Sequence, residues 1–402
     1  MQRILSALIF GVLFSVFVPR GYGQPDRYVI LVVIDGARYS ETLGDTLARY
    51  TPRMQQLARE GVVIDTFLNN GYTYTSRAIP AIWCGSWSAP RDTVVGGYST
   101  QYATVPTVWE YYRKQYAVDS TQALRVMKYL TGEWLPSYHP EYGPKTWPYY
   151  ILQGSSDLDV WANARQKLQT YHPRLAEIYF ADVDHYGHSG DWNAYTQAIR
   201  TADSIVGMLW DFVQSDNIFR GKTTILVSND HGRHLDGVST GFVGHGDGCW
   251  GCRRIMFIGI GANVAKSSRL FEQKTLLDIA PTIGAILQFA TPYASGRPIT
   301  NALTSVHFKT SPSVPHAFSL LQNYPNPFNP TTQIVYSLPF TLHTSLKVYD
   351  LLDREVAVLV NEQKPAGRHS VTWDASRFSS GIYFCTLQAG TFRETKRMIL
   401  LK

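Results

Sequence analysis

The sequence is short of several things at once, and each shortage closes a class of protein. It holds only 4 cysteines in 402 residues, Cys84, Cys249, Cys252 and Cys385, too few for disulfides to replace a hydrophobic core. The single Cys-x-x-Cys, "CWGC" at 249–252, has no second pair to make a zinc ribbon with and no thioredoxin-like context. In an oxidising compartment its two thiols would most simply close a short disulfide. Charged residues make up only 17% of the chain, the net charge is a modest +6, and no dense Lys/Arg run occurs. A nucleic-acid polymer is therefore not an expected partner. Beyond the N-terminus no apolar run approaches the roughly 20 residues that span a bilayer, so no transmembrane segment is expected in the mature chain.

What is present starts with "MQRILSALIFGVLFSVFVPRGYGQ": a basic Arg3, an apolar stretch over 4–18, then small residues at Gly21 and Gly23. That layout reads as a secretory signal peptide over residues 1–23, and the stretch is too short for a membrane anchor. The rest is ordinary globular material, 45% hydrophobic, long enough for one large domain and one smaller one. Four short runs rich in β-branched residues, "YVILVVI" (28–34), "LAEIYF" (175–180), "TTILVS" (223–228) and "RIMFIGI" (254–260), read as buried strands. A helical spacing of Ile199, Ala202, Ile205, Val206, Leu209, Phe212 and Val213 separates the second from the third. Strands alternating with helices predict an α/β domain over 24–310, a mostly parallel central sheet sandwiched by helices.

Residues 109–150 stand apart, crowded with Trp109, Tyr111, Tyr112, Tyr116, Trp134, Tyr138, Tyr142, Trp147, Tyr149 and Tyr150. They read as an irregular insertion over the sheet edge, either packing on itself or forming a substrate-facing wall. Near Ser311 the composition shifts again to "TSPSVPHAF", a linker. Beyond it the chain alternates apolar and polar residues between turn signals, which predicts a small all-β sandwich closing the span 311–402.

The chemistry lies where the predicted strands end. Asp35 follows the first strand in "VVIDGAR", Asp182, Asp184 and His188 follow the second in "YFADVDHYGHSGD", Asp230 and His231 follow the third in "LVSNDHGRH", and His245 comes shortly after in "VGHGDG". In a parallel sheet these carboxyl ends share one edge. Any one of these residues alone reads as a helix cap or a turn residue. Together, carboxylates and imidazoles aimed at one edge call for cations, and mixed Asp/His donors suit zinc or a similar divalent ion. Leaving Asp182 aside, six such ligands exceed one tetrahedral ion, which implies two metals, the pairing that clamps both oxygens of an in-line displacement.

On these blocks the chain resembles the alkaline phosphatase superfamily, and within it the type I phosphodiesterase/nucleotide pyrophosphatase branch, over roughly residues 28–290. The resemblance rests on "VVIDGAR", on the Asp-x-x-Gly-His of 184–188, on "SNDHG" and on the later Gly-His-Gly. It implies that Asp35, Thr75, Asp230 and His231 hold one metal and Asp184, His188 and His245 the other, zinc first among the candidates. It also places the nucleophile ten residues before a glycine, a spacing that Thr75 and Gly85 have. A metal-activated Thr75 alkoxide would then attack phosphorus, giving a phospho-threonine that water hydrolyses. Ser76 is the competing hydroxyl, one place off that spacing. Asp182, two residues before the ligand position, is expected to orient a neighbour.

Departures from the pattern bear on substrate. Where many phosphodiesterases carry Pro-Asn after the nucleophile, this chain has Arg77-Ala78, and a guanidinium can hold two non-bridging oxygens; Arg77 is thus a candidate catalytic residue, and a monoester stays open beside a diester or nucleotide. "TSRA" also resembles phosphoethanolamine transferases, without their membrane helices. The Cys-x-Pro-Ser-Arg of sulfatases is absent, which speaks against formylglycine chemistry. A surface binding protein on an inactive scaffold is the reading of another class. Finally, "LQNYPNPFNPTTQIVYSLP", "LKVYDLLDREVAVLV", "AGRHSVTWDAS" and "SGIYFCTLQAG" make residues 317–402 similar to the type A sorting domain of the type IX secretion system. That implies the type IX machinery as a partner and a secreted or cell-surface location.

Overall fold

The strand Tyr28–Ile34 is buried at every residue because its two faces serve two cores. Val29, Leu31 and Val33 enter one cluster, Ile30, Val32 and Ile34 the other, as the two-residue side-chain period of a strand requires. The computed structural model describes residues 24–95, 97–128, 134–304, 318–323, 325–339, 342–365, 367–390 and 392–402. The signal peptide read over 1–23 and the linker stretch 311–317 lie outside the described residues.

Around that strand an 8-stranded sheet runs in the order Ser268–Leu270, Val62–Ile64, Phe257–Gly261, Thr223–Ser228, Tyr28–Ile34, Leu175–Phe180, Ala123–Met127, Tyr149–Leu152. The last five are mutually parallel, so their carboxyl ends meet at one edge. Helices Thr75–Cys84, Val108–Tyr116 and Ile279–Leu287 cover one face through residues such as Ile79, Trp83, Tyr112 and Ile283. Helices Pro52–Glu60, Asp157–Tyr171 and Trp192–Ser215 cover the other through Leu57, Val160, Leu168 and Ile205. The sandwiched, mostly parallel sheet is the architecture the sequence predicts.

Two local expectations need correction. The run 254–260 is not one strand: Arg254–Ile255 pairs with Phe67–Leu68 in a small separate sheet, and Phe257–Gly261 joins the main sheet antiparallel to both neighbours. Residues 109–150 are not an irregular insertion either. They supply most of a capped helix, Val108–Tyr116, with its Thr107/Glu110 capping box, and also the strand Ala123–Met127 and the start of Tyr149–Leu152. Many of the rings serve packing. Trp109, Tyr111 and Tyr112 are fully buried, and Tyr142 and Tyr293 close over Tyr111. Others enclose a buried ion pair. Arg125 and Glu177 stand opposite each other on adjacent strands with Nε and Oε2 2.9 Å apart, and the guanidinium lies between the Trp83, Trp109 and Tyr150 rings. Aromatic faces and a paired carboxylate together make burial of that charge tolerable.

The C-terminal region is all antiparallel, with Ser319–Leu320, Thr331–Leu338 and Gly367–Asp374 in one sheet and Glu355–Lys364, Leu342–Tyr349, Gly381–Ala389 and Phe392–Leu400 in another. The inward residues, among them Ile334, Leu346, Val348, Trp373 and Leu387, form a core of their own.

Candidate active site

Each side chain at the carboxyl edge is placed by a local device. The Asp35 N–H bonds to the Phe180 carbonyl, extending the pairing of the two strands by one residue. Gly36 then turns in the left-handed region at φ 67°, and a Cβ there would lie 2.4 Å from Asp184 Oδ1; the turn brings the first acidic block against the second. Asn229 locks the third. Its amide donates to the carbonyls of Ala37 and His231 and its oxygen accepts from the Met256 N–H, which fixes Asp230 and His231 in the turn after Thr223–Ser228. Asp184 and His188 are four apart in the helix Asp182–Ser189 and therefore share a face. Gly187 leaves room for the Arg233 guanidinium, which a Cβ would approach to 2.3 Å.

The result is two groups of donors, Asp35/Asp230/His231 and Asp184/His188/His245, each with its candidate ligand atoms within 4.8 Å of one another. In the first, His231 Nε2 is 3.4 Å from an oxygen of Asp35 and of Asp230. In the second, Asp184 lies 3.3 Å from His188 Nε2 and 3.5 Å from His245 Nε2, and the two imidazole nitrogens are 2.9 Å apart. The groups abut, since the His231 and His245 rings stack with centroids 3.9 Å apart. Thr75, the first residue of Thr75–Cys84, joins them: its hydroxyl is 3.1 Å from His231 Nε2 and 3.5 Å from Asp35 Oδ1.

All six candidate ligands and Thr75 thus come together. Arg77 stands two residues after Thr75 in the first turn of the same helix, its guanidinium over the Tyr72 ring at 5.7 Å. Asp182 faces elsewhere, pairing with Lys128 and accepting the Asp157 N–H at 2.8 Å; it caps the start of a neighbouring helix instead of orienting a ligand. Cys84 is buried at the far end of the Thr75 helix, with its thiol on the Val105 carbonyl. Three residues of the site were not anticipated: Asn229, Tyr179, whose hydroxyl donates to Asp35, and Arg233, which contacts Asp184 Oδ1 and the carbonyls of Gly36, Val243 and Asp184. For Asn229 the adjacency to Asp230-His231 was the available signal; Tyr179 and Arg233 carry no distinctive spacing.

The electrostatics fit cations. Burial, with the charges of Asp230 and Asp184, pushes Asp35 well above the usual carboxylate range, and burial pushes Asp230 up to about 6. Burial also works against an ionised Asp184, but the hydrogen bond from His188 and the fields of His231, Arg233 and His245 hold it well below its ordinary value. Burial lowers His231 and His245 to about 4, leaving neutral imidazoles with lone pairs to give. Asp230 Oδ2 is buried without a hydrogen-bond partner, an arrangement that costs about 1–3 kcal/mol unless something positive satisfies it. Buried carboxylates, neutral imidazoles and an orphaned oxygen suit two divalent ions.

The described fold is alkaline phosphatase-like, a mostly parallel sheet sandwiched by helices, and a secretion sorting domain follows it at the C-terminal end. Residues 142–291 match the family model of the Metalloenzyme superfamily, and residues 322–401 match that of the secretion system C-terminal sorting domain. Murine ectonucleotide pyrophosphatase/phosphodiesterase 5 is similar in structure at TM-score 0.52 and 14% identity, over 69% of this chain and 100% of that one. Ps i-CgsB, solved with k-i-k-neocarrahexaose, gives TM-score 0.50 and 13% identity over 78% of this chain and 83% of that one. A Bacteroides thetaiotaomicron protein from a locus for glycosaminoglycan metabolism gives 0.51 and 11% over 84% and 89%. No curated protein matches the sequence. At these identities the likeness is one of fold. The donor groups and the Metalloenzyme superfamily match support a metal-dependent enzyme, and the sorting domain makes it a secreted or cell-surface one, exported by the type IX system. Among the described residues no helix is long and apolar enough to cross a membrane.

Proposed function

We propose that this protein is a secreted two-metal phosphoesterase of the phosphodiesterase/nucleotide pyrophosphatase kind, with Thr75 as nucleophile. The observation that carries the reading is the Thr75 hydroxyl, 3.1 Å from His231 Nε2 and 3.5 Å from Asp35 Oδ1 at the rim of the two donor groups. Asp35, Asp230 and His231, with Thr75, would hold one ion and Asp184, His188 and His245 the other. Bound there, zinc or a related ion supplies Lewis acidity that favours the ionised hydroxyl and offsets charge on phosphorus.

The chain's own residues do the remainder. Thr75 Oγ1 forms the new bond to phosphorus as the ester oxygen departs with its electron pair, leaving a phospho-threonine; water then takes the phosphoryl group and Thr75 is regenerated. Thr75 opens a helix whose Arg77 and Ala78 N–H groups already bond the Tyr74 carbonyl, so the N–H groups of Thr75 and Ser76 would be the ones to meet incoming anionic oxygen. Arg77, in the same turn and only partly exposed, is available to pair with non-bridging oxygens. A threonine cannot yield formylglycine, and Cys84 is sealed in the core, so sulfate ester hydrolysis by that route is disfavoured. Thr75→Ala should retain metal yet lose most turnover, while Ser76→Ala stays active, when nitrophenyl phosphate, its diester and nitrophenyl sulfate are assayed side by side. Loss of activity in Ser76→Ala with a fully active Thr75→Ala would sink the assignment.

A further inference from the structure

Beyond that reading, we propose a third metal site, built by His234, Asp247, Cys249 and Cys252 and taking one zinc ion in a structural role. Their candidate ligand atoms lie within 4.8 Å of one another. The observation that points to a ligand is His234. Its side chain is only 6% exposed, its Nδ1 is engaged by Thr240 Oγ1 at 3.0 Å, and its Nε2 is buried with no hydrogen-bond partner. That nitrogen faces Asp247 Oδ1 at 3.3 Å. Cys252 Sγ is 3.5 Å from the same oxygen, and the two sulfurs stand 3.3 Å apart, unbonded.

Two thiolates, one imidazole and one carboxylate are a tetrahedral zinc set; with Zn–S near 2.3 Å, tetrahedral geometry separates two thiolates by roughly 3.8 Å. The lone Cys-x-x-Cys, which lacks a second pair in sequence, finds its other two ligands in space. Thr240 orients the imidazole from its far nitrogen, as supporting residues of metal-bound histidines do. Asp247 is half exposed, which leaves an entry path. Binding displaces the two thiol protons to solvent and forms two Zn–S bonds.

The placement gives the ion a task. His234 and Cys249 bracket the loop that carries His245, whose ends are already tied by the His234 N–H to Gly244 and the Gly232 N–H to Cys252 carbonyls at 3.0 and 2.9 Å. The backbones there touch: a Cβ on Gly251 would sit 2.4 Å from the Arg233 carbonyl oxygen. Zinc would staple this loop and fix His245 against the second donor group.

The test uses the exported full-length mature protein. Zinc-saturated enzyme is expected to hold three equivalents, and cobalt-exchanged enzyme to show a thiolate-to-cobalt charge-transfer band, which the Asp/His groups cannot produce. Cys252→Ser should lose that band and one of the three equivalents while keeping two. Should that variant not fold, the wild-type cobalt spectrum and thiol count decide alone. Two equivalents with no thiolate band, or an intact mass two hydrogens short with Cys249 linked to Cys252, overturns the proposal.

Discussion

Gly36→Ala probes how the two donor groups are held together without replacing any donor. The residue turns at φ 67°, where a side chain costs about 1–2 kcal/mol. The new methyl would also lie 2.4 Å from Asp184 Oδ1, 2.9 Å from its Cβ and 3.1 Å from its Cα. The backbone contact means that a rotamer change alone does not relieve the overlap, so the carboxylate must retreat by about 1 Å to restore normal separations. Metal–ligand distances tolerate only about 0.2 Å, so the Asp184/His188/His245 group should lose affinity by at least the 10–100-fold that loss of a supporting residue typically costs, roughly. The Asp35/Asp230/His231 group should weaken less. Chelator competition followed by metal analysis reads the two affinities, with circular dichroism confirming the fold. A folded Gly36→Ala protein with both affinities unchanged would show that Asp184 is not a ligand.

Arg77→Ala should slow a phosphate monoester dianion more than a diester, which carries one charge fewer; equal effects on the two would remove Arg77 from oxygen binding. Asp184→Ala or His245→Ala should lower metal content, whereas Asp182→Ala, whose carboxylate serves Lys128 and the Asp157 N–H, should keep its metals and lose stability. Burial, with the Asp182 charge, pushes Asp157 from 3.8 up to about 7. The folded state therefore holds that proton more tightly than the unfolded one, and stability is greatest below the unfolded value and falls as pH rises from about 4 to about 7, by up to about 4 kcal/mol. Urea unfolding across that window should show this slope, and Asp157→Asn should flatten it; an unchanged slope removes Asp157 as its source. Protein ending near residue 315 should remain an active hydrolase in vitro but stay in the periplasm of its host; normal export without the sorting domain would contradict that role.

Much of this was legible in the sequence because the strands that build the edge are buried on both faces, and their apolar runs end in Asp35, Asp182 and Asp230. What was hidden depends on neighbours across the sheet. "ALRVM" at 123–127 carries an arginine in its middle, and only Glu177 opposite it and the rings around it make that residue compatible with a central strand. The break of 254–260 at Met256 follows from Asn229 accepting the Met256 N–H, a partner 27 residues away. Asp182 stands two places before Asp184 in sequence, which suggests an orienting role, but on a helix a residue two positions off points to another side. The lone Cys-x-x-Cys looked incomplete because its companions, His234 and Asp247, follow no fixed spacing.

The central claim is covalent catalysis at Thr75, and acid-quenched mass spectrometry during turnover of a phosphodiester measures it directly. A phosphoryl group mapped to Thr75, absent in Thr75→Ala and lost on further incubation with water, is the predicted result. An active enzyme that carries no phosphoryl group under quench, or carries it on Ser76, would contradict the account.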